Sequence, residues 1–309
     1  MVQGPASPKR RRFLRQIAAV TAAGWLPPAS ALPQTIRTRP VPASGEPVPV
    51  IGMGTWQTFD VGDDQELVKA RAGVLKAFFD MGGGMVDSSP MYGSSEQVIG
   101  ECRAILGDDA HLFSATKVWT LGRWFGIKQM QRSQRLWSVP RFDLMQIHNM
   151  LDWETHLDTL QAWKADGRIR YIGITTSHGR RHEALAKALE RESFDFVQFT
   201  YNVLDREAEK RLLPLAAERG VAVIINRPFR RGDLFNYVAG KPIPAWAGEF
   251  DCSNWAQFFL KFIVSHPAVT VTIPATTRVD HMQENMGAGF GRLPEPAMRR
   301  RMARHMAAL

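Results

Sequence analysis

From Pro47 onward, short runs of β-branched and apolar residues alternate with helix-length amphipathic segments. This alternation is typical of βαβ units and therefore predicts a parallel sheet. The predicted strands are Val48–Met53, Gly84–Ser88, Leu112–Lys117, Asp143–His148, Tyr171–Thr175, Phe196–Thr200, Val221–Asn226 and Val269–Pro274. The predicted helices include Asp64–Asp80, Glu154–Asp166, Arg181–Glu190, Arg206–Arg219, Asn254–Ser265 and Val279–Gly287. Strands separated by helices in this number predict an α/β fold, a single closed (β/α)8 TIM barrel.

A length of 309 residues would also accommodate two domains. However, no linker, low-complexity tract or charge block divides the interior of the chain, so one barrel domain over residues 47–309 is the better interpretation. Residues 32–46 contain Pro33, Pro40 and Pro42 and predict an extended lead-in. The segment Pro296–Ala308 predicts a covering helix at the C-terminus.

The first 31 residues have the three-part order of an export signal. A basic stretch at 9–15 precedes an apolar run at 17–26, and Ala29-Ser30-Ala31 forms a small-residue cleavage site. The paired arginines before Phe13-Leu14 resemble a twin-arginine signal, which predicts a bacterial protein delivered to the periplasm by the twin-arginine export machinery and cleaved after Ala31. A disordered basic leader without an address function is the alternative. The apolar run is too short for a stable membrane span.

The charge of the chain is concentrated in this leader. The protein has 39 Lys+Arg against 30 Asp+Glu, a net charge of +9. Five of the basic residues, Lys9, Arg10, Arg11, Arg12 and Arg15, lie in the leader, and without them the balance is 34 against 30, or +4. This is an ordinary charge for a soluble enzyme, so no nucleic-acid partner is expected.

Neither the cysteines nor the histidines predict a metal site. Cys102 and Cys252 lie far apart and outside any ligand motif, which favours two separate buried thiols over a disulfide. His178 and His182 are four residues apart and could share a helix face, but no third ligand follows at metal spacing, so a solvated pair is favoured.

Polar residues mark the carboxyl ends of three successive predicted strands. Asp87 ends one strand and Tyr92 follows in its loop, Lys117 ends the next strand, and His148 ends the third. Active sites of (β/α)8 barrels lie at this end of the strands, so these side chains would face one cavity. A structural ion pair with a satisfied histidine is the alternative, but the clustering favours a functional site.

Around these residues the sequence resembles the aldo-keto reductase family. The resemblance covers about residues 48 to 289, and its motifs occur in order: Gly54-Thr55-Trp56, Val86-Asp87-Ser88-Ser89-Pro90-Met91-Tyr92-Gly93-Ser94-Ser95-Glu96, Thr116-Lys117, Gln146-Ile147-His148-Asn149, Gly167-Arg168-Ile169-Arg170-Tyr171-Ile172-Gly173 and Glu284-Asn285. No G-x-G-x-x-G fingerprint is present, which disfavours a Rossmann domain.

The resemblance implies hydride transfer between a nicotinamide cofactor and the carbon of a carbonyl or alcohol substrate. Tyr92 would deliver the proton to the carbonyl oxygen. Lys117 would stabilise the phenolate, Asp87 would hold the ammonium, and His148 would orient the carbonyl.

The resemblance also implies a cofactor site, with NADPH favoured over NADH. The implied cofactor-binding residues are Gly54, Thr55, Trp56, Thr175, Thr176, Gln198, Asn226, Pro228, Ile273, Pro274, Thr276, Arg278, Glu284 and Asn285. Asn226 stands where many members place an aromatic ring on the nicotinamide. Arg278 is the one obvious partner for a 2′-phosphate, because Ala275 and His281 replace the Lys and Arg of many members.

Two other functions stay open from the sequence. Some family members couple the cofactor to a partner protein, so the chain could be a nicotinamide-binding sensor or interaction subunit, and a periplasmic substrate-binding protein would need no cofactor at all. The four polar residues favour an enzyme. A monomer is expected. Aromatic residues after the Lys117 strand, namely Trp119, Trp124, Phe125 and Trp137, are candidates for contact with an apolar substrate.

Overall fold

Eight parallel strands form one continuous sheet in a computed structural model that describes residues 35–107 and 111–309. The strands are β3 (Met53–Gly54), β4 (Met85–Asp87), β5 (Phe113–Val118), β6 (Phe142–Ile147), β7 (Ile169–Thr175), β8 (Phe196–Thr200), β9 (Ala222–Asn226) and β10 (Val271–Thr272), and each pairs with the next. The sheet closes between its two ends, where Ile51 bridges Thr272 and the Gly54 amide donates to the Pro274 carbonyl at 3.0 Å. The predicted (β/α)8 barrel is therefore confirmed.

Helices follow the strands and cover the outside of the barrel. They are α1 (Gln65–Asp80), α2 (Ser95–Leu106), α3 (Arg123–Trp137), α4 (Trp153–Ala165), α5 (His182–Arg191), α6 (Leu212–Glu218), α7 (Asp233–Tyr237), α8 (Trp255–Val264), α9 (Val279–Gly287) and α10 (Pro296–Ala308). Helix α1 shows how the sequence determines where a helix begins and which face it buries. The Asp64 carboxylate caps its first turn by accepting from the amides of Glu66 and Leu67. Apolar residues at helical spacing, including Val68, Ala72 and Leu75, are buried against the barrel.

Two layers of apolar side chains make up the core. The larger layer fills the space between strands and helices. The smaller one fills the barrel interior, where Val41 and Val48 of an N-terminal hairpin join strand residues such as Phe113, Leu144 and Phe196. Arg170, near the amino end of β7, is paired with Glu46 of the hairpin and with Asp143 of β6. The hairpin thus closes the amino-terminal end of the barrel and leaves the carboxyl-terminal end for a binding site.

The structure corrects the predicted first strand. Instead of one strand over Val48–Met53, β2 (Pro47–Pro49) pairs antiparallel with β1 (Thr38–Pro40), and the barrel strand is only Met53–Gly54. Pro47 and Pro49 have no N–H to donate, so they suit a short edge pair better than a barrel strand. Strand β1 lies within the predicted extended lead-in. The predicted export signal and its cleavage site lie outside the described residues.

The single helix predicted over Arg206–Arg219 is also wrong. A short 3-10 turn at Glu207–Glu209 precedes α6, which begins at Leu212. Pro214 cannot donate to the carbonyl of residue 210, and a proline is tolerated only in the first turn of a helix. The α-helix therefore starts just before Pro214.

Across residues 35–107 and 111–309, no helix is both long and apolar enough to cross a membrane. The same residues contain no cluster of three or more His, Cys, Asp or Glu side chains arranged to hold a metal ion. Cys102 and Cys252 are both buried and free.

Candidate active site

A cavity of about 370 Å³ opens at the carboxyl-terminal end of the barrel. Asp87, Tyr92 and His148 line it, together with Gln198 of β8 and residues from the loops that follow β3, β7 and β9. The strand register explains this convergence, because the strands that lead to Asp87, Lys117 and His148 are neighbours in the sheet. His148 itself is not a strand residue as predicted, but the first residue of a 3-10 turn after β6.

A buried ion pair lies beneath the cavity. The Lys117 Nζ donates to Asp87 Oδ2 at 2.5 Å and to the Ser88 carbonyl at 2.7 Å, and the two charged side chains are 0% and 2% exposed. Burial lowers the pKa of Lys117, and the neighbouring Asp87 carboxylate opposes this effect. Asp87 thus favours the charged ammonium.

Two amides complete the coordination of the Asp87 carboxylate. Its Oδ1 accepts from Gln146 Nε2 at 2.8 Å and from Gln198 Nε2 at 3.0 Å. Gln198 also contacts the Asn226 amide, which donates to Gln198 Oε1 at 3.3 Å and to the Thr176 carbonyl at 2.9 Å. One hydrogen-bonded network therefore links the ion pair under β4 and β5 to the end of β9. This network fixes the Asp87 side chain and, through it, Lys117.

Tyr92 lies over this ion pair. The Lys117 Nζ is 5.2 Å from the centre of the Tyr92 ring, and the ring meets His148 edge-on at a centroid distance of 5.7 Å. Burial and, to a smaller extent, the Asp87 carboxylate raise the pKa of Tyr92 above its usual value. The phenol is therefore fully protonated at neutral pH and can serve as a proton donor.

The Ser89 hydroxyl forms a hydrogen bond with the His148 ring. Its Nδ1 lies 2.8 Å from Ser89 Oγ, which also accepts a hydrogen bond from the Met91 amide at 3.2 Å. Burial and the Lys117 charge lower the pKa of His148 well below its usual value, so the ring is neutral at neutral pH. Among residues 35–107 and 111–309, Nδ1 is the one acceptor within reach of the Ser89 hydroxyl proton. This arrangement favours the tautomer with its proton on Nε2, which leaves a hydrogen-bond donor for a ligand in the cavity.

The structure brings most of the predicted cofactor residues to this cavity. Those that line it are Gly54, Thr55, Trp56, Thr175, Thr176, Gln198, Asn226, Pro228 and Ile273. The side chain of Thr176 is buried, and its Oγ1 has no hydrogen-bond partner among the described residues. An unsatisfied buried hydroxyl beside the cavity fits a polar group such as a nicotinamide carboxamide. The Gln198 amide nitrogen, in contrast, is already bound to Asp87 and Gln146.

The remaining predicted residues, which are Pro274, Thr276, Arg278, Glu284 and Asn285, lie outside the lining of this cavity. Arg278 is exposed and forms an ion pair with Asp280, its Nε donating to Asp280 Oδ1 at 2.9 Å. Thr276 Oγ1 accepts from the Arg278 amide at 3.2 Å. Glu284 is exposed on α9, whereas Asn285 is buried. A 2′-phosphate would have to compete with Asp280 for the Arg278 guanidinium.

Several lining residues were missed by the sequence analysis. Phe229, Arg231 and Phe235 line the cavity, and the Arg231 guanidinium lies 4.1 Å from the centre of the Trp56 ring. Phe229 and Arg231 come from the loop after β9 and Phe235 from α7, a stretch of sequence that has no recognisable pattern. Gln146 and Ser89, which contact Asp87 and His148, were also missed. They could have been found, because each is two residues from a predicted catalytic residue. In an extended chain this spacing places side chains on the same face.

The four aromatic candidates after β5 divide into three groups. The Trp119 ring lies 6.4 Å from the His148 ring, at the active-site end. Trp124 and Phe125 are 62% and 61% exposed and pack against each other. Trp137 is fully buried and donates to Glu96, so it is a core residue. Of the four, Trp119 alone is close to the catalytic residues.

Comparison with known proteins agrees with this geometry. The model of the aldo/keto reductase family matches residues 50–301. Methylglyoxal reductase YeaE of Escherichia coli (strain K12) is 25% identical over 243 residues, 77% of this chain and 84% of that protein.

Solved structures share the fold. The holo form of aldo-keto reductase AKR11C1 from Bacillus halodurans has a TM-score of 0.72 at 20% identity, over 88% of this chain and 96% of that one. An aldo-keto reductase from Klebsiella pneumoniae in complex with NADPH has a TM-score of 0.70 at 21% identity, over 88% and 95% of the two chains. With the family match over most of its length, the chain belongs to the aldo/keto reductase family and is an NAD(P)H-dependent oxidoreductase of carbonyl compounds.

Proposed function

We propose that this protein reduces a small aldehyde or ketone, with Tyr92 as the proton donor. The observation that supports this most strongly is the arrangement of Tyr92 between the buried Lys117–Asp87 pair and the neutral His148. When bound, the reduced cofactor supplies the hydride. The protein supplies the acid and the groups that orient the carbonyl oxygen.

Each of the four residues has a distinct role in this mechanism. The Nε2–H of His148 donates to the carbonyl oxygen and orients it beside the Tyr92 hydroxyl. Tyr92 then gives its proton to the oxygen as negative charge develops there. The Lys117 ammonium stabilises the resulting phenolate, because a positive charge in a buried site acts strongly on a nearby anion. Asp87 holds the ammonium in place, and the hydrogen bond from Lys117 Nζ to Asp87 Oδ2 supports this role.

A small oxoaldehyde is the first substrate to test. The protein of Escherichia coli that covers most of this chain is named a methylglyoxal reductase. The cavity is small and lined by both aromatic and polar side chains, which suits a short carbonyl compound. We propose methylglyoxal and similar short aldehydes as substrates.

NADPH is the proposed cofactor, with only moderate preference over NADH. The Thr176 hydroxyl is available for the carboxamide, and the exposed Arg278, which is paired with Asp280, is the candidate partner for a 2′-phosphate. One charge-assisted contact changes affinity by roughly ten- to a hundredfold, and competition from Asp280 reduces this gain. We expect Arg278→Ala to weaken NADPH binding several-fold and to leave NADH binding nearly unchanged, as measured by fluorescence titration. Equal losses for both cofactors would show that Arg278 does not contact the 2′-phosphate.

The test of the function is Tyr92→Phe, which keeps the ring and removes its hydroxyl. We expect turnover of methylglyoxal with NADPH to fall by about 10² to 10⁴, while cofactor affinity and melting temperature stay near those of the parent. Tyr237→Phe is the matched control, because Tyr237 is 43% exposed on α7 and does not line the cavity. A Tyr92→Phe variant with most of its turnover would instead favour the alternative of a cofactor-binding sensor.

For its location, we propose that the protein is exported to the periplasm by the twin-arginine pathway and acts there as a monomer. The sequence of residues 1–31 supports the proposed export. The test is fractionation of cells that express an Arg10→Lys, Arg11→Lys double variant. Delivery of this variant to the periplasm at the parental level would contradict the proposal.

A further inference from the structure

A second cavity, of about 720 Å³, lies beside the active site. We call it the arginine cleft, because Arg180, Arg206, Arg227, Arg230 and Arg231 line it, on the loops after β7, β8 and β9. Arg227 and Arg231 also line the active-site cavity, whereas Arg180 and Arg206 do not. The two cavities therefore share part of one wall.

Among the described residues, only one of the five arginines in the arginine cleft forms an ion pair. Arg230 is paired with Asp205, its Nε 3.1 Å from Oδ2. A second acidic residue of the lining, Glu207, is paired with Lys210 at 3.0 Å. Among residues 35–107 and 111–309, the other four arginines have no carboxylate within salt-bridge distance. Asp233 is the one remaining acidic residue of the lining.

The guanidinium groups in the cleft repel one another. Burial and then the charge of Arg231 lower the pKa of Arg227 from its usual value, the Asp205 and Asp233 carboxylates oppose this effect, and Arg230 adds a smaller lowering effect. A bound anion would relieve this repulsion, because it would place negative charge between the guanidinium groups.

The backbone around the cleft is held in an uncommon conformation. The φ angles of Arg227, Arg230 and Arg231 are 53°, 50° and 62°, in the left-handed region that non-glycine residues seldom occupy. Such strain is common at ligand sites, where the surrounding structure keeps side chains in fixed positions. Here, three arginines of one short loop adopt this conformation.

Two histidines add neutral donors to the lining. Burial lowers the pKa of both His178 and His182, so neither ring is charged at neutral pH. The ring nitrogens of His182 have no hydrogen-bond partner among the described residues. The cleft thus offers unpaired guanidinium groups and an unused imidazole, and its acidic residues are too few to make it a metal site.

We propose that the arginine cleft binds a phosphoryl group of a small molecule. A phosphate monoester carries between one and two negative charges at neutral pH and three acceptor oxygens, which suits several guanidinium groups at once. A carboxylate needs only one guanidinium for its two oxygens. This second site goes beyond the carbonyl reductase activity, whose proposed proton donor Tyr92 and carbonyl-orienting residue His148 line the other cavity.

Occupation of the cleft affects the active site through their shared wall. Arg227 directly follows Asn226, and the Asn226 amide donates to the Thr176 carbonyl and to Gln198. A phosphoryl group that fixes Arg227 therefore also restrains the residues beside the nicotinamide carboxamide. By linkage, a ligand in the cleft that changes cofactor affinity has its own affinity changed by the same factor.

The test is calorimetric titration at constant ionic strength with inorganic phosphate and with glycerol phosphate. The variant is Arg180→Gln, Arg206→Gln, whose two residues line the arginine cleft alone, and Arg123→Gln is the control, an exposed arginine paired with Asp158 on α4. We expect the wild type and the control to bind both probes. The double variant should bind them about tenfold more weakly or worse, since each guanidinium contact is worth roughly tenfold. Tighter binding of glycerol phosphate indicates an organic phosphate as ligand, and equal binding indicates free phosphate.

A titration of NADPH into the same proteins separates the cleft from the cofactor site. We expect the double variant without phosphate to bind NADPH within about twofold of the wild type, and saturating phosphate to shift the NADPH affinity of the wild type without displacing the cofactor. A loss of NADPH affinity as large as the loss of phosphate affinity would assign these arginines to the cofactor and overturn a separate site. Absence of phosphate binding up to about 10 mM, or equal binding by the wild type and the double variant, would also overturn the proposal.

Discussion

Replacement of Lys117 by Met tests whether the buried ion pair is needed both for catalysis and for the stability of the barrel. The substitution keeps an unbranched side chain in a site that is 0% exposed and removes its charge. Asp87 Oδ2 then loses its 2.5 Å partner, while Oδ1 keeps the amides of Gln146 and Gln198. The variant therefore leaves a buried carboxylate with hydrogen bonds to only one of its two oxygens, so that it is half satisfied.

The expected loss in the free energy of unfolding follows from the hydrogen bonds that Asp87 keeps. Removal of one partner of a buried ion pair costs about 3 to 5 kcal/mol. The two remaining amide donors place the expected loss near the lower end, at about 3 kcal/mol. For a domain of this size, 1 kcal/mol changes the melting temperature by roughly 2 to 4 °C, so we expect a decrease of about 6 to 12 °C.

The assay is thermal unfolding followed by circular dichroism, together with steady-state reduction of methylglyoxal. Lys76→Met is the matched control, because Lys76 forms an exposed ion pair with Asp80, with side chains 63% and 58% exposed. Such surface pairs contribute about 0 to 1 kcal/mol, so the control should melt near the parent and retain activity. If Lys117→Met melts within about 2 °C of the parent, the argument from the half-satisfied Asp87 carboxylate is wrong.

Two further predictions concern Ser89 and His266. Ser89→Ala removes the partner of His148 Nδ1, so we expect kcat to fall by up to about tenfold, and ¹⁵N NMR to show a mixture of His148 tautomers where the parent shows the Nε2–H form. An unchanged tautomer in the variant would remove this role from Ser89. Burial, assisted by the charge of Arg299, lowers the pKa of His266 to about 4. Because the unfolded chain binds the proton more readily, stability should fall as the pH decreases from about 6.5 toward 4, by up to about 1.4 kcal/mol per pH unit. His266→Gln should flatten this dependence in pH-dependent urea unfolding, and an equal slope in both proteins would contradict it.

The sequence predicted the barrel well because its strands are buried on both faces. The first four residues of β9, from Ala222 to Ile225, are all apolar and buried, and such continuous apolar runs between amphipathic helices are hard to mistake for another fold. Two errors in the predicted strand and helix boundaries occur at prolines. Pro49 limited the first strand and Pro214 delayed the start of α6, because in both cases a missing N–H changes the local hydrogen bonding.

The candidate site was predictable where it depends on strand ends and not where it depends on loops. Asp87 is the last residue of β4 and Lys117 the last but one of the neighbouring β5, so the barrel alone brings them together, and the structure has them in direct contact. The loop after β9 has no such constraint, and its three left-handed arginines could not be placed without the structure. Because that loop borders both cavities, its side chains can contact a ligand in either one and so determine which ligand binds. The residues at the strand ends determine the reaction. Loop substitutions at Arg231 should therefore alter affinities, and strand-end substitutions should alter turnover.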